Sequence, residues 1–271
     1  MTRCGMSLAA AATLVGMPAL GQQPQTGFLN RTIVDGNVTR RYQVYVPADY
    51  TPETRWPVVL FLHGGGAQGD DGLVQTEGAV GSAIRRSPGR WPAIVLFPQV
   101  RPGRRWSGDD ARWALEALEA TQREFATDSA RVYLTGLSRG GAGAWYLAYR
   151  NPTRFAAVLI ACGRVSTAAT LDDRPTADRD PVIPKSDGDP FEALAARLRG
   201  VPVWVWQGEA DELVPAEESR RATAALKKAG APVTYTELPR VGHNVWDLMY
   251  DSPKVIQWLF AQRRPPTPGP G

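Results

Sequence analysis

Along the chain, short and almost wholly apolar runs alternate with longer stretches in which apolar residues recur at helical spacing. The runs at 58–62, 93–97, 131–134, 156–160, 201–206 and 233–237 have the length and β-branched or aromatic content of strands buried on both faces. Two further strand-like runs, 28–34 and 40–46, are joined through Asp35-Gly36-Asn37, which is hairpin turn chemistry and predicts an antiparallel pair at a sheet edge. Helices are expected at 73–86, from an Asp109 cap to Phe125, at 144–149, from Asp189-Pro190 to Arg199, and at 216–229 and 252–263. Ala111, Leu115, Leu118 and Phe125 share one face of the second of these, and Val255, Ile256, Trp258, Leu259 and Phe260 load the last. Eight strands, of which the last six alternate with helices, predict an α/β fold. Its sheet should be mostly parallel and twisted, with an antiparallel N-terminal edge and helices on both faces.

Three segments fall outside this rhythm. Residues 1–21 have a basic start at Arg3, an alanine-rich apolar run and small residues at Ala19 and Gly21, the pattern of a secretory signal peptide. The run is too short to span a bilayer, so the expected location is secreted or periplasmic, with no stable membrane insertion. Residues 164–188 carry three prolines and scattered charge without apolar periodicity, which predicts a long loop over the cleft or a disordered excursion. Residues 265–271 form a proline and glycine tail expected to be disordered, leaving 22–264 as one folded domain.

Composition narrows the chemistry. The 271 residues have 43% hydrophobic content, enough for one sizeable core, and a net charge of +4 without a basic stripe, which argues against a nucleic-acid partner. Cleavage after the leader leaves Cys162 as the sole cysteine, so no intrachain disulfide can form, and that thiol is expected to pack as a small apolar group. With only His63 and His243 as histidines, no zinc spacing exists, and no metal or organic cofactor is expected.

The chemistry-bearing stretch is Gly136-Leu137-Ser138-Arg139-Gly140, a G-x-S-x-G pattern preceded by a strand and followed by a helix. A serine lifted onto a tight strand-to-helix turn needs neighbours without Cβ, and the helix aims its free N–H groups at whatever reacts there. His63-Gly64-Gly65-Gly66 follows another buried strand, so backbone must come close to something; the Gly65 and Arg139 amides are the expected oxyanion donors. His63 itself is read as holding that loop by hydrogen bonds. His243 then remains as the base. A carboxylate beyond the 201–206 strand should orient the imidazole, with Asp211 placed ahead of Glu209 and Glu212. Trp106 and Trp246 are the residues expected to line the substrate cleft, with structural packing the equal alternative for the Trp106 ring, while Trp204 and Trp206 share a strand face and are read as core.

Tyr133-Leu134-Thr135-Gly136-Leu137-Ser138-Arg139-Gly140-Gly141, Gly208-Glu209-Ala210-Asp211 and Gly242-His243-Asn244-Val245-Trp246-Asp247 together resemble secreted α/β-hydrolases of the carboxylesterase and predicted-peptidase group. That group is similar to feruloyl esterases and polyhydroxybutyrate depolymerases, and the resemblance covers nearly all of 28–263. It implies the α/β-hydrolase fold and cleavage of a small or polymer-linked carboxylic ester, with short acyl or aromatic acyl groups, through Ser138, Asp211 and His243. A peptidase or polyester depolymerase on the same fold is the alternative, and a non-catalytic binding module a further one. Arg139 stands where related sequences often carry methionine, and the 164–188 insertion is longer than usual.

Overall fold

The structure, a computed structural model, describes residues 24–36, 38–166 and 181–265. The expected signal peptide, the centre of the 164–188 loop and all but the first residue of the 265–271 tail lie outside the described residues. Eight strands form one sheet: β1 (Gly27–Asp35), β2 (Val38–Val46), β3 (Trp56–Leu62), β4 (Ile94–Pro98), β5 (Thr127–Leu137), β6 (Ala157–Ala161), β7 (Val203–Gly208) and β8 (Val233–Leu238). Their spatial order is β1-β2-β4-β3-β5-β6-β7-β8. The β1–β2 and β2–β4 pairs are antiparallel and the remaining pairs parallel, as the apolar runs and the Asp35-Gly36 turn predict.

Strand alternation divides the core into two layers. Val58, Leu60 and Leu62 face a cluster shared with α2 (Gly108–Glu124), α3 (Arg139–Arg150), α4 (Pro190–Arg197) and α5 (Ala216–Lys228). Val59 and Phe61 face the other, shared with α1 (Ala79–Arg86), α6 (Trp246–Asp251) and α7 (Pro253–Ala261). Trp204 and Trp206 lie in this second layer with ring centroids 6.1 Å apart, as core residues of one strand face.

Three helices differ from expectation. The helix α2 begins at Gly108 with Ser107 at its N-cap, so Asp109 lies inside the first turn, where its charge suits the helix dipole, and does not cap it. The 73–86 stretch divides into a 3-10 turn, Val74–Thr76, and α1. Asp71 Oδ1 accepts the N–H groups of Leu73 and Val74 and tightens that turn, and Gly78 then takes extended backbone, so no continuous helix can form. At the C-terminal end, the helix starts at Pro253, whose fixed φ suits the first helical position, and a separate short helix, α6, precedes it. That extra helix follows directly on the His243 loop.

Candidate active site

Ser138 sits between β5 and α3 with φ +54° and ψ −117°, a conformation a β-carbon-bearing residue holds only under constraint. The constraint is visible in its neighbours. A side chain at Gly136 would meet the Gly140 carbonyl at 2.2 Å, and one at Gly140 would meet the Leu62 carbonyl at 1.9 Å, so backbone crosses backbone on both flanks of the turn. The Ser138 N–H donates to the Ala161 carbonyl at 2.9 Å, which ties the turn to the end of β6.

His243 arrives from the loop after β8. Its Nε2 lies 2.8 Å from Ser138 Oγ and its Nδ1 lies 2.7 Å from Asp211 Oδ2. An ionised carboxylate only accepts, so Nδ1–H donates to Asp211 and the bare Nε2 faces the serine hydroxyl. The Val245 N–H donates to the His243 carbonyl, and the Cys162 thiol lies 3.5 Å from the same oxygen. Trp246 packs edge-on against the imidazole at 5.3 Å between centroids.

Asp211 is held more tightly still. Oδ1 accepts the N–H groups of Leu213 and Val214, both at 2.9 Å, while Gln207 Nε2 donates to Oδ2 at 3.0 Å. Burial pushes the carboxyl pKa up, but the hydrogen bonds from His243, Val214 and Leu213 and the charge of His243 together hold it below its ordinary value. The turn is locked to the histidine loop because the Ala210 N–H donates to Val241 O and the Glu209 N–H to Leu238 O. Both competing carboxylates are accounted for. Glu209 accepts the Arg240 N–H, and Glu212 is exposed.

The glycine loop after β3 runs beside the Ser138 turn. A side-chain carbon at Gly64 would lie 3.6 Å from Ser138 Cβ, and one at Gly65 would lie 3.2 Å from Arg139 Nε. His63 holds this loop from below, 2% exposed. Its Nδ1–H donates to Gly64 O at 2.7 Å, and its Nε2 accepts the Val100 N–H at 3.1 Å. Burial pushes the imidazole pKa down to about 4 against the smaller opposing effect of the Gly64 bond. A ring with both nitrogens committed to backbone is a strut.

Trp106 requires a correction. It is 2% exposed, its Nε1–H donates to His63 O at 2.9 Å, and its ring packs edge-on against His63. The indole therefore braces the glycine loop from inside and does not form the cleft wall expected from its loop position. Its N–H explains why: a buried tryptophan needs an acceptor, and the His63 carbonyl supplies one.

Cys162, at φ +42°, is buried where β6 ends. Burial, reinforced by the Asp211 charge, pushes its thiol pKa well up, so the group stays neutral. The donor atoms of Cys162, Asp211 and His243 lie within 4.8 Å of one another, a set that could contact a metal ion. Here the Asp211 and His243 atoms are already spent on their mutual hydrogen bond.

Sequence reasoning missed Gln207 and Gln68. Gln207 is fully buried and donates to Asp211 Oδ2, Gly208 O and Val214 O while accepting from Ser219. A lone amide closing the apolar run Val203-Trp204-Val205-Trp206 is the signal that could have found it. Gln68 accepts from Arg139 Nη1 and donates to the carbonyls of Arg101 and Arg104; nothing in its loop sequence marks it.

Residues 103–261, more than half of the chain, match the prolyl oligopeptidase family. The chain belongs to the prolyl oligopeptidase family. A protein called an uncharacterized secreted protein from Arthroderma benhamiae is 28% identical over 211 residues, covering 70% of this chain and 21% of that protein. The chain thus spans about a fifth of the length of that curated relative. Among solved structures, a thermostable esterase is 30% identical with a TM-score of 0.73, over 88% of this chain and 63% of that one. A ferulic acid esterase is 19% identical with a TM-score of 0.68, over 88% of this chain and 99% of that one, a likeness of fold. This prolyl oligopeptidase family member has the α/β-hydrolase fold, and among its described residues no helix is long and apolar enough to cross a membrane.

Proposed function

We propose that the chain is a serine hydrolase that cleaves carboxylic esters of short acyl or aromatic acyl groups through an acyl-enzyme on Ser138. The observation that carries this reading is the continuous chain Ser138 Oγ, His243 Nε2, His243 Nδ1 and Asp211 Oδ2, with contacts of 2.8 and 2.7 Å. In the first half-reaction, Ser138 Oγ attacks the ester carbonyl carbon while its proton passes to His243 Nε2. Negative charge moves to the carbonyl oxygen, which the N–H groups of Gly65 and Arg139 receive. His243 then gives the proton to the leaving alkoxide, the ester C–O bond breaks, and the acyl group stays on Ser138. Water repeats the cycle: His243 takes its proton, the hydroxide oxygen bonds to the acyl carbon, and Ser138 leaves with the proton returned.

Asp211 contributes by holding the imidazole in one tautomer and stabilising its protonated form. Trp246 packs on that imidazole and contacts the substrate at the cleft. The 30% identity to a thermostable esterase supports ester rather than amide chemistry. Membership of the prolyl oligopeptidase family favours a second reading, a peptidase using the same residues. Initial rates on p-nitrophenyl acetate and butyrate against peptide p-nitroanilides separate the two. Faster turnover of the esters supports the esterase, and faster turnover of a peptide anilide replaces it with the peptidase.

For the whole chain, we infer a signal peptide at 1–21, a hydrolase domain at 22–264 and a tail at 265–271, giving a secreted or periplasmic enzyme. The secreted relative supports this assignment. N-terminal sequencing of the exported protein tests it, with a start near residue 22 expected and an intact Met1 contradicting it.

A further inference from the structure

The end of β6 brings a thiol to the carboxylate and imidazole described above. Cys162 is fixed there with φ +42°, its N–H donating to Trp206 O at 2.8 Å, while the neighbouring Ala161 carbonyl receives the Ser138 N–H. Its sulfur lies 3.5 Å from the His243 carbonyl. The Cys162 sulfur, an Asp211 carboxylate oxygen and a His243 ring nitrogen all lie within 4.8 Å of one another. No spacing motif marks this set in the sequence, because its members follow β6, β7 and β8 and meet only in the folded sheet.

Donor type and separation fit one class of ligand. Thiolate, imidazole and carboxylate together suit zinc-like cations, and three protein donors with a water in the fourth position complete a tetrahedral shell. Donor atoms in such a shell stand roughly 3.4 Å apart. The 2.7 Å between His243 Nδ1 and Asp211 Oδ2 therefore has to open by less than about 1 Å, and the sulfur has to close by at most about 1.5 Å. Asp211 can tilt this far while its Oδ1 keeps the N–H groups of Leu213 and Val214. His243 is the exposed member of the set, so an ion from solvent reaches the buried sulfur and carboxylate past the imidazole.

We propose that Cys162, Asp211 and His243 form an inhibitory site for a thiophilic divalent cation of the zinc and cadmium class. The ion takes the place of the thiol proton, which leaves to solvent. It also occupies Nδ1, so the one proton of the neutral imidazole moves to Nε2. Nε2 then faces Ser138 as a donor and can no longer take the hydroxyl proton. No oxidation state changes. Magnesium and calcium, which prefer oxygen donors, gain nothing from the sulfur and are not held there. Coordination is independent of the ester reading; only the loss of ester turnover rests on it.

The test titrates Zn2+ and Cd2+ against the wild-type protein and its Cys162→Ala and Cys162→Ser variants, following initial rates on p-nitrophenyl butyrate and ultraviolet difference spectra. In wild type both ions should lower kcat with KM unchanged, and a chelator should restore the rate. A thiolate-to-cadmium absorption band should rise in step with the inhibition by Cd2+. Loss of a direct ligand costs at least as much as loss of an outer partner, so both variants should raise the inhibition constant by about tenfold to a hundredfold or more. The band should shrink with it, the difference between wild type and variant reporting Cys162 alone. Because an inhibition constant is measured within one protein, the folded fraction of a variant cancels. Absence of inhibition in wild type, equal inhibition without the sulfur, or equal inhibition by Ca2+ would overturn the proposal. Inhibition by Cd2+ with no band from Cys162 would do the same. If the protein cleaves no ester, the ester reading fails and the band still decides the site: its presence at Cys162 supports coordination, and its absence removes it.

Discussion

The two histidines occupy equivalent stations, each in a loop after a parallel strand on the reactive edge of the sheet, and they have opposite fates. His63 is 2% exposed, and both ring nitrogens are bonded to backbone. The His243 side chain is 17% exposed, and both ring nitrogens are bonded to side chains, one a hydroxyl and one a carboxylate. Residue type is identical; partners decide the role. An imidazole between two backbone groups has no proton to exchange, whereas one between Ser138 and Asp211 can take a proton on one nitrogen while the other is steadied.

The largest expected effect breaks this contrast at the active member. His243→Ala should reduce kcat on p-nitrophenyl butyrate by roughly a millionfold, whereas His63→Asn assayed on folded protein should lose far less. Comparable losses in the two would erase the distinction. Removing only the steadying charge comes next: Asp211→Asn should lower kcat about ten-thousandfold, because the imidazole then loses its preferred tautomer. A loss under tenfold would mean that the carboxylate does not orient His243.

The third expectation concerns stability. Burial lowers the folded His63 pKa from 6.5 to about 4, so the unfolded chain binds the proton first as pH falls. No penalty exists above the unfolded value. Between 6.5 and about 4 the native state should lose about 3 kcal/mol from this group. Urea titrations of wild type and His63→Asn across that window measure it; the variant's stability should fall less steeply with pH. Parallel slopes would contradict the assignment. The smallest effect sharpens the His243 side. Gln207→Leu leaves Asp211 one donor short and loosens its aim, with an expected loss of about tenfold to a hundredfold in kcat and little change in KM.

How far these roles are legible in sequence follows from what each residue touches. The strands read clearly because a run such as Val58-Val59-Leu60-Phe61-Leu62, buried on both faces, admits no polar residue. Ser138 reads clearly because its turn leaves room only for glycine at Gly136 and Gly140, which marks the chain locally. His243 is found by elimination and Asp211 by its place after β7, although only the turn's hydrogen bonds separate it from Glu209 and Glu212. Trp106 misleads because loop position says nothing of which way a ring points, and the His63 carbonyl that captures its N–H is 43 residues away. Gln68 leaves no local mark for the same reason: its partners are brought to it by the sheet.

We propose that His243 makes Ser138 reactive. Intact-mass measurement and peptide mapping after treatment with a fluorophosphonate probe put this to the test. One adduct per chain, on Ser138, in wild type and its near absence in folded His243→Ala is the expected result. Folded wild-type protein that leaves Ser138 unlabelled, or labelling of Ser138 that is undiminished without His243, would contradict it.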